Sequence, residues 1–236
     1  MRSFNKIILA AVMVAISAVT FAKNSTEDRH LTGFSAVNVA CSFDVYITQG
    51  SSESVKVDAP ADIIGRIVTE VEGGTLKIYT KRDENSNWSW HDKKVVIYVA
   101  LKDVNAISLS GSGDIFFKEG VKATSLKLKL TGSGDITGKL SVKNLDSSIA
   151  GSGDITISGS ADNSTVSVVG SGDFTAQGLA TGTTTVRVAG SGDARVNASE
   201  KIDASVIGSG DVHYTGSPKS INTSKAGSGS VSRMYF

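Results

Sequence analysis

The fold is decided by Leu128-Lys129-Leu130-Thr131-Gly132-Ser133-Gly134-Asp135-Ile136 and by the recurrence of its centre. Gly-Ser-Gly-Asp stands at Gly111–Asp114, Gly132–Asp135, Gly151–Asp154, Gly170–Asp173, Gly190–Asp193 and Gly208–Asp211. A seventh copy, Gly227-Ser228-Gly229-Ser230, has Ser in place of Asp. The intervals are 21, 19, 19, 20, 18 and 19 residues, a period that marks a repeat architecture. Counting from the first Gly of each copy, position −2 reads Leu109, Leu130, Ile149, Val168, Val188, Val206 and then Lys225. Position −4 reads Ile107, Leu128, Ser147, Val166, Val186, Ala204 and Thr223, and position +4 reads Ile115, Ile136, Ile155, Phe174, Ala194, Val212 and Val231. Position −3 is polar: Ser108, Lys129, Ser148, Ser167, Arg187, Ser205 and Ser224. Apolar residues at every second position give half-buried strands, and β-branched residues suit them.

A unit of 18–21 residues with short strands and few helix signals predicts an all-β fold, a single-stranded parallel β-helix with one coil per repeat. Successive coils stack at about 4.8 Å, so identical motifs fall above one another. The glycine pairs Gly111 and Gly113, Gly132 and Gly134, Gly151 and Gly153, Gly170 and Gly172, Gly190 and Gly192, and Gly208 and Gly210 are then corner residues. They sit where there is no room for a side chain or where φ is unusual. An antiparallel meander with two strands per repeat is the rival that periodicity alone leaves open. The last copy, with Lys225 and Thr223 at inward positions, reads as a terminal cap.

Ahead of the repeat, Phe34–Val39, Ser42–Thr48, Ser54–Asp58, Val68–Val71, Leu76–Thr80 and Val95–Ala100 read as strands. Glu72-Gly73-Gly74-Thr75 reads as a hairpin turn, and Asp62–Arg66 as a single helical turn. This part either starts the same β-helix or packs as a small sheet on its end. The resulting division is a signal peptide at 1–22, a flexible segment at 23–33 and one β-helix domain at 34–236. Within that domain, 34–110 hold the front strands with a Trp-bearing loop at 81–94, and 111–236 hold the repeat coils. The front segment or the Trp loop should cap one end, and Ser230–Phe236 the other. Open ends would associate with another copy.

The chain of 236 residues has a net charge of +1, which speaks against a nucleic-acid face, and its 40% hydrophobic content speaks against disorder. A single cysteine excludes an internal disulfide framework. Arg2 and Lys6, the apolar run Ile7 to Phe21 and the small residues of Thr20-Phe21-Ala22 read as an export signal. Its removal leaves a charge of −1 and no apolar run long enough to span a membrane. The expected location is periplasmic or extracellular. Cys41 lies beyond the cleavage point and reads as a small buried apolar residue.

The chain resembles the auto-transporter adhesin head GIN domain family of exported Bacteroidetes-type proteins. The resemblance is carried by Phe34-Ser35-Ala36-Val37, by Phe43-Asp44-Val45-Tyr46-Ile47-Thr48-Gln49-Gly50, by Val68 to Ile78 and by the repeat. It covers roughly 31–236. It implies a right-handed parallel β-helix, a surface or envelope location and an adhesive role. It carries over no catalytic residue.

Asp114, Asp135, Asp154, Asp173, Asp193 and Asp211 form one column. Carboxylates about 4.8 Å apart repel by about 0.9 kcal/mol per pair in water. Turn amides or hydroxyls such as those of Ser112 and Ser133 offset this in the structural reading. Calcium between coils is the functional alternative. The motif resembles the calcium-binding nonapeptide of secreted toxins but lacks one residue and the second motif per coil. A uniform ladder offers no acid and base of different pKa, so no catalytic residue is expected, and a polysaccharide-cleaving enzyme is the lesser alternative. Trp88 and Trp90 share parity in the loop 81–94 and are candidate contacts for a sugar ring or a partner protein. The outward Ser and Thr, for example Ser147-Ser148 and Thr183-Thr184-Thr185, suit hydrogen bonding to sugars. The expectation is an exported non-enzymatic module that binds a surface glycan or an envelope protein.

Overall fold

The computed structural model describes residues 24–81 and 93–235. The expected signal segment 1–22 lies outside the described residues, as do Trp88 and Trp90. Along the chain, β1 (Asn24–Asp28), β2 (Ala36–Ala40), β3 (Asp44–Gln49) and β4 (Ser54–Pro60) precede a short 3-10 turn at Ile64–Arg66. There follow β5 (Ile67–Glu72), β6 (Thr75–Thr80), β7 (Val96–Leu101) and β8 (Ala106–Gly111). The repeat supplies β9 (Ile115–Gly132), β10 (Ile136–Gly151), β11 (Ile155–Gly170), β12 (Phe174–Thr175), β13 (Leu179–Gly190) and β14 (Ala194–Gly208). The chain closes with β15 (Val212–Thr215), β16 (Ser220–Gly227) and β17 (Val231–Arg233).

From β8 onward every pairing is parallel, and the first glycines of adjacent copies are register partners: Gly111 with Gly132, Gly132 with Gly151, Gly151 with Gly170, and onward to Gly208 with Gly227. This is a parallel β-solenoid, and the meander is excluded. The alternation of inward and outward side chains holds in space. Leu109, Leu130, Ile149, Val168, Val188 and Val206 are buried in one column, and Ile115, Ile136, Ile155, Phe174, Ala194 and Val212 in another. Each such aliphatic side chain contributes about 1.5–3 kcal/mol on leaving water. One contiguous core runs from Phe34 to Val212.

The order of coils differs from the order of the chain. β2 pairs with β6 on one side and β8 on the other, and β3 likewise lies between β7 and β9. The coil β2–β3 is therefore inserted between the later coil β6–β7 and the repeat. The front segment is both of the expected alternatives. β2, β3, β6 and β7 extend the solenoid, whereas β4 pairs antiparallel with β7, β1 with β4, and β5 with β6. The turn joining β5 and β6 has positive φ at both Gly73 and Gly74, as a hairpin turn of the primed type requires.

One expectation about the ends is corrected. Part of the segment expected to be flexible, 23–33, is strand β1, because its main chain satisfies the open edge of β4 from Asp28↔Lys56 to Asn24↔Pro60. At the other end Val231–Arg233 continues the stack on β15, with Val231 packed against the core, and every residue of β16 is exposed.

Candidate functional site

The Gly-Ser-Gly-Asp corner is built by backbone contact between coils. A Cβ at Gly134 would stand 1.9 Å from the carbonyl oxygen of Gly113, and one at Gly132 would stand 2.3 Å from that of Gly111. Gly132 also has φ +123°, which side chains rarely adopt. The absence of side chains lets the amides of Ser133 and Gly134 both donate to the Gly111 carbonyl, at 3.0 and 3.1 Å. The same pair of bonds recurs from Ser152 and Gly153 to Gly132.

The Asp column completes the corner. The amide of Asp135 donates to Oδ1 of Asp114 at 3.0 Å, Asp154 to Asp135 at 2.9 Å, Asp173 to Asp154 at 2.8 Å, Asp193 to Asp173 at 2.8 Å and Asp211 to Asp193 at 2.9 Å. In return the amide of Ile115 donates to the Asp135 carbonyl at 2.8 Å. Each carboxylate thus serves the next coil's amide, rather than its own turn or the hydroxyls of Ser112 or Ser133. The loss of Asp at Ser230 follows. Its amide and hydroxyl both donate to Asp211 Oδ1, at 2.7 and 2.8 Å, and among the described residues no further corner needs an acceptor. Those two bonds hold the Asp211 carboxyl below the usual carboxylate range. Arg195 lies 3.3 Å from Asp173 and 3.2 Å from Asp193, which offsets repulsion between them. Among the described residues no three His, Cys, Asp or Glu side chains gather as a metal site.

An eighth corner escaped the sequence pattern. Cys41-Ser42-Phe43-Asp44 lies where a preceding Gly-Ser-Gly-Asp would be: Cβ atoms at Gly111 and Gly113 would meet the carbonyls of Cys41 and Phe43 at 2.3 and 2.2 Å. Val45 donates to the Asp114 carbonyl at 2.8 Å, as Ile115 does to Asp135. The usable signal was Val37, Val39 and Val45 at the −4, −2 and +4 positions. The coil on the other side of Cys41 and Phe43 is β6–β7, whose strands are joined through 81–95 and not by a tetrapeptide. Side chains are tolerated there, beside a cavity of about 190 Å³ lined by Cys41, Phe43, Thr80 and Lys93. Burial pushes the Cys41 thiol up to about 11, with a hydrogen bond from the Phe43 backbone opposing, so it stays a neutral thiol. Burial, then the nearby Asp114, raises the Asp44 carboxyl above its ordinary value, with Lys94 opposing.

Two residues expected on the outer face are inside. Ser147 is 1% exposed and its hydroxyl has no partner among the described residues. Thr184 is also buried, with its Oγ1 2.7 Å from that of Thr181.

The outward face following each Asp carries three parallel columns. The first is the Asp ladder. The second runs in register through Tyr98, Tyr46, Phe116, Thr137, Thr156 and Thr175. Its rings stack face to face, with centroids 5.6 Å apart for Tyr46–Tyr98 and 5.0 Å for Tyr46–Phe116. The ring faces are therefore used between coils, and the edges face solvent. The third comprises Lys118, Lys139, Ser158 and Gln177. Between the second and third columns lies an open groove of about 500 Å³. Sequence reasoning missed it because it arises where coil length changes.

The family model described as "Putative auto-transporter adhesin, head GIN domain" matches residues 33–218. Among solved structures, a "putative adhesin" from Bacteroides fragilis superposes with a TM-score of 0.84 at 26% identity, covering 90% of this chain and 97% of that one. A "putative lipid binding protein" from Parabacteroides distasonis gives 0.73 at 27% identity, with coverages of 90% and 97%. A "putative adhesin" from the same species gives 0.74 at 24% identity, with coverages of 90% and 98%, a likeness of fold. No curated protein matches the chain. Among the described residues no helix is long and apolar enough to cross a membrane.

Proposed function

The chain belongs to the auto-transporter adhesin head GIN domain family, and on that premise we propose that it is an exported, non-enzymatic binding module whose target is a surface glycan. The observation that carries this reading is the three-column face. Thr137, Thr156 and Thr175 make no side-chain hydrogen bond among the described residues, and they stand one coil apart beside the exposed Lys118 and Lys139. Regularly spaced, unpaired donors and acceptors match the hydroxyl-rich edge of an extended oligosaccharide. Glycoside cleavage needs two carboxyls with separated pKa values. In the Asp ladder Oδ1 of each member is already taken by an amide of the following coil, a structural use of the carboxylates. Export follows from the basic and apolar opening of the sequence.

A second reading, contact with lipid, is favoured by the column Ala150, Val169, Ala189, Ile207 and Ala226, in which Val169 and Ile207 are 52% and 61% exposed. The description of the Parabacteroides distasonis relative as lipid-binding points the same way.

A glycan array probed with the chain lacking residues 1–22 tests the first reading. Repeating it with Trp88→Ala and Trp90→Ala tests those two as contacts. Retention of at least one glycan class is expected, with no release of reducing ends. Flotation with liposomes and silence on the array would overturn it in favour of lipid.

A further inference from the structure

The groove is built by irregularity in an otherwise uniform repeat. The interval from Gly111 to Gly132 is 21 residues, and 19 suffice for the next two coils. The two additional residues lie between Phe117 and Val121, opposite Gly138 to Leu140, and the chain turns there through Gly120 at φ +93°. Two coils further on, the run Ala176–Gly178 separates β12 from β13. The core does not require the bulge, because β10 and β11 close without one. Its effect is to lift Lys118 beside Lys139 at one end of the groove. Lys118 Nζ stands 5.0 Å from the Phe116 ring centroid. Neither lysine has an ion pair among the described residues. The lining, which includes Lys118, Lys139, Thr137, Thr156 and Thr175, contains no acid. Both ammonium groups are exposed, so the groove offers unneutralised positive charge next to free hydroxyls, within a face whose other charged column is negative.

We propose that this groove is the ligand site and that it takes an anionic sugar. The inference rests on the glycan reading above and narrows it. The carboxylate or sulfate would lie between Lys118 and Lys139, and ring hydroxyls would follow the Thr137–Thr156–Thr175 column from coil to coil. Lysine is a point charge and does not choose between carboxylate and sulfate, so the ligand class is defined by charge. Neutral glycans lack the charged anchor.

Calorimetric titration with an oligogalacturonate, a heparin-derived oligosaccharide and neutral maltohexaose tests the assignment, each at low and high salt. The anionic ligands should bind at least about tenfold more tightly than the neutral one, with affinity falling as salt rises. Lys118→Gln with Lys139→Gln should weaken anionic binding about tenfold or more, and Thr156→Val about threefold. Lys129→Gln, exposed on another column, should change nothing, and the urea midpoints of all variants should match the parent. Equal affinity for neutral and anionic ligands, or an equal loss in Lys129→Gln, overturns the assignment. If the array retains neutral glycans and the lysine pair is indifferent, this inference fails and the glycan reading stands. If no oligosaccharide binds by either method, both fail.

Discussion

The amide of Asp173 donates to Oδ1 of Asp154 at 2.8 Å, one coil away. The corner amide at this position finds no backbone carbonyl in the neighbouring coil, and the carboxylate stands in for one. The repeated Asp is thus a hydrogen-bond acceptor whose beneficiary lies about 19 residues further on, which outweighs the repulsion along the column.

Asp154→Asn keeps a carbonyl oxygen for the Asp173 amide and removes one charge from the ladder. Its urea unfolding free energy should stay within about 0.5 kcal/mol of the parent. Asp154→Ala strands that amide and should cost about 1–3 kcal/mol. Equal stability of the two variants would sink the acceptor role.

Gly134→Ala places a methyl group 1.9 Å from the Gly113 carbonyl oxygen, in backbone that has no room to yield. It should cost upwards of about 3 kcal/mol. Gly50→Ala meets nothing within 4 Å and should lie within about 0.5 kcal/mol of the parent in the same melts.

Ser147 sits in register between Leu128 and Val166 in the aliphatic column, with its hydroxyl unpaired. Ser147→Ala removes the hydroxyl without adding volume and should stabilise by about 1 kcal/mol. Thermal melting reads this as an upward shift, and a downward shift would show that the hydroxyl is satisfied.

Asp44 should make the fold pH-sensitive at its first corner. Its carboxyl is raised by burial and by Asp114, so its contribution to stability is present below the unfolded carboxylate pKa and lost as pH rises through the folded value. Asp44→Asn should therefore be more stable than the parent near neutral pH and indistinguishable from it in strong acid. Parallel urea melts across that range measure the difference, and a gap that widens in acid would contradict it.

Lys225 occupies the inward column held by Val206 in the preceding coil, and among the described residues the strand that carries it, β16, pairs with β14 alone. A charge at an inward position of an edge strand hinders pairing with another chain. The parent should be monomeric by light scattering. Lys225→Val with Thr223→Val should associate as concentration rises, and a variant that stays monomeric would remove the protective role.

Much of this architecture was legible in the sequence because the information is local. A period near 19 residues and an alternation of two fix the coil length and which side chains face the axis, and the inward columns of Leu130 and Ile136 follow directly. Residue chemistry misled at Ser147 and Thr184, where it suggested solvent but parity assigns the core. Only the tertiary structure decided that β2–β3 lies between β6–β7 and β8–β9, because strand partners 70 residues apart are chosen by packing and not by spacing. It alone placed Cys41-Ser42-Phe43-Asp44 as a corner, where the absence of a tetrapeptide on one side removes the need for glycine. The groove at Lys118 and Lys139 likewise exists only in three dimensions, since an insertion of two residues acquires a shape only when the neighbouring coils hold still around it.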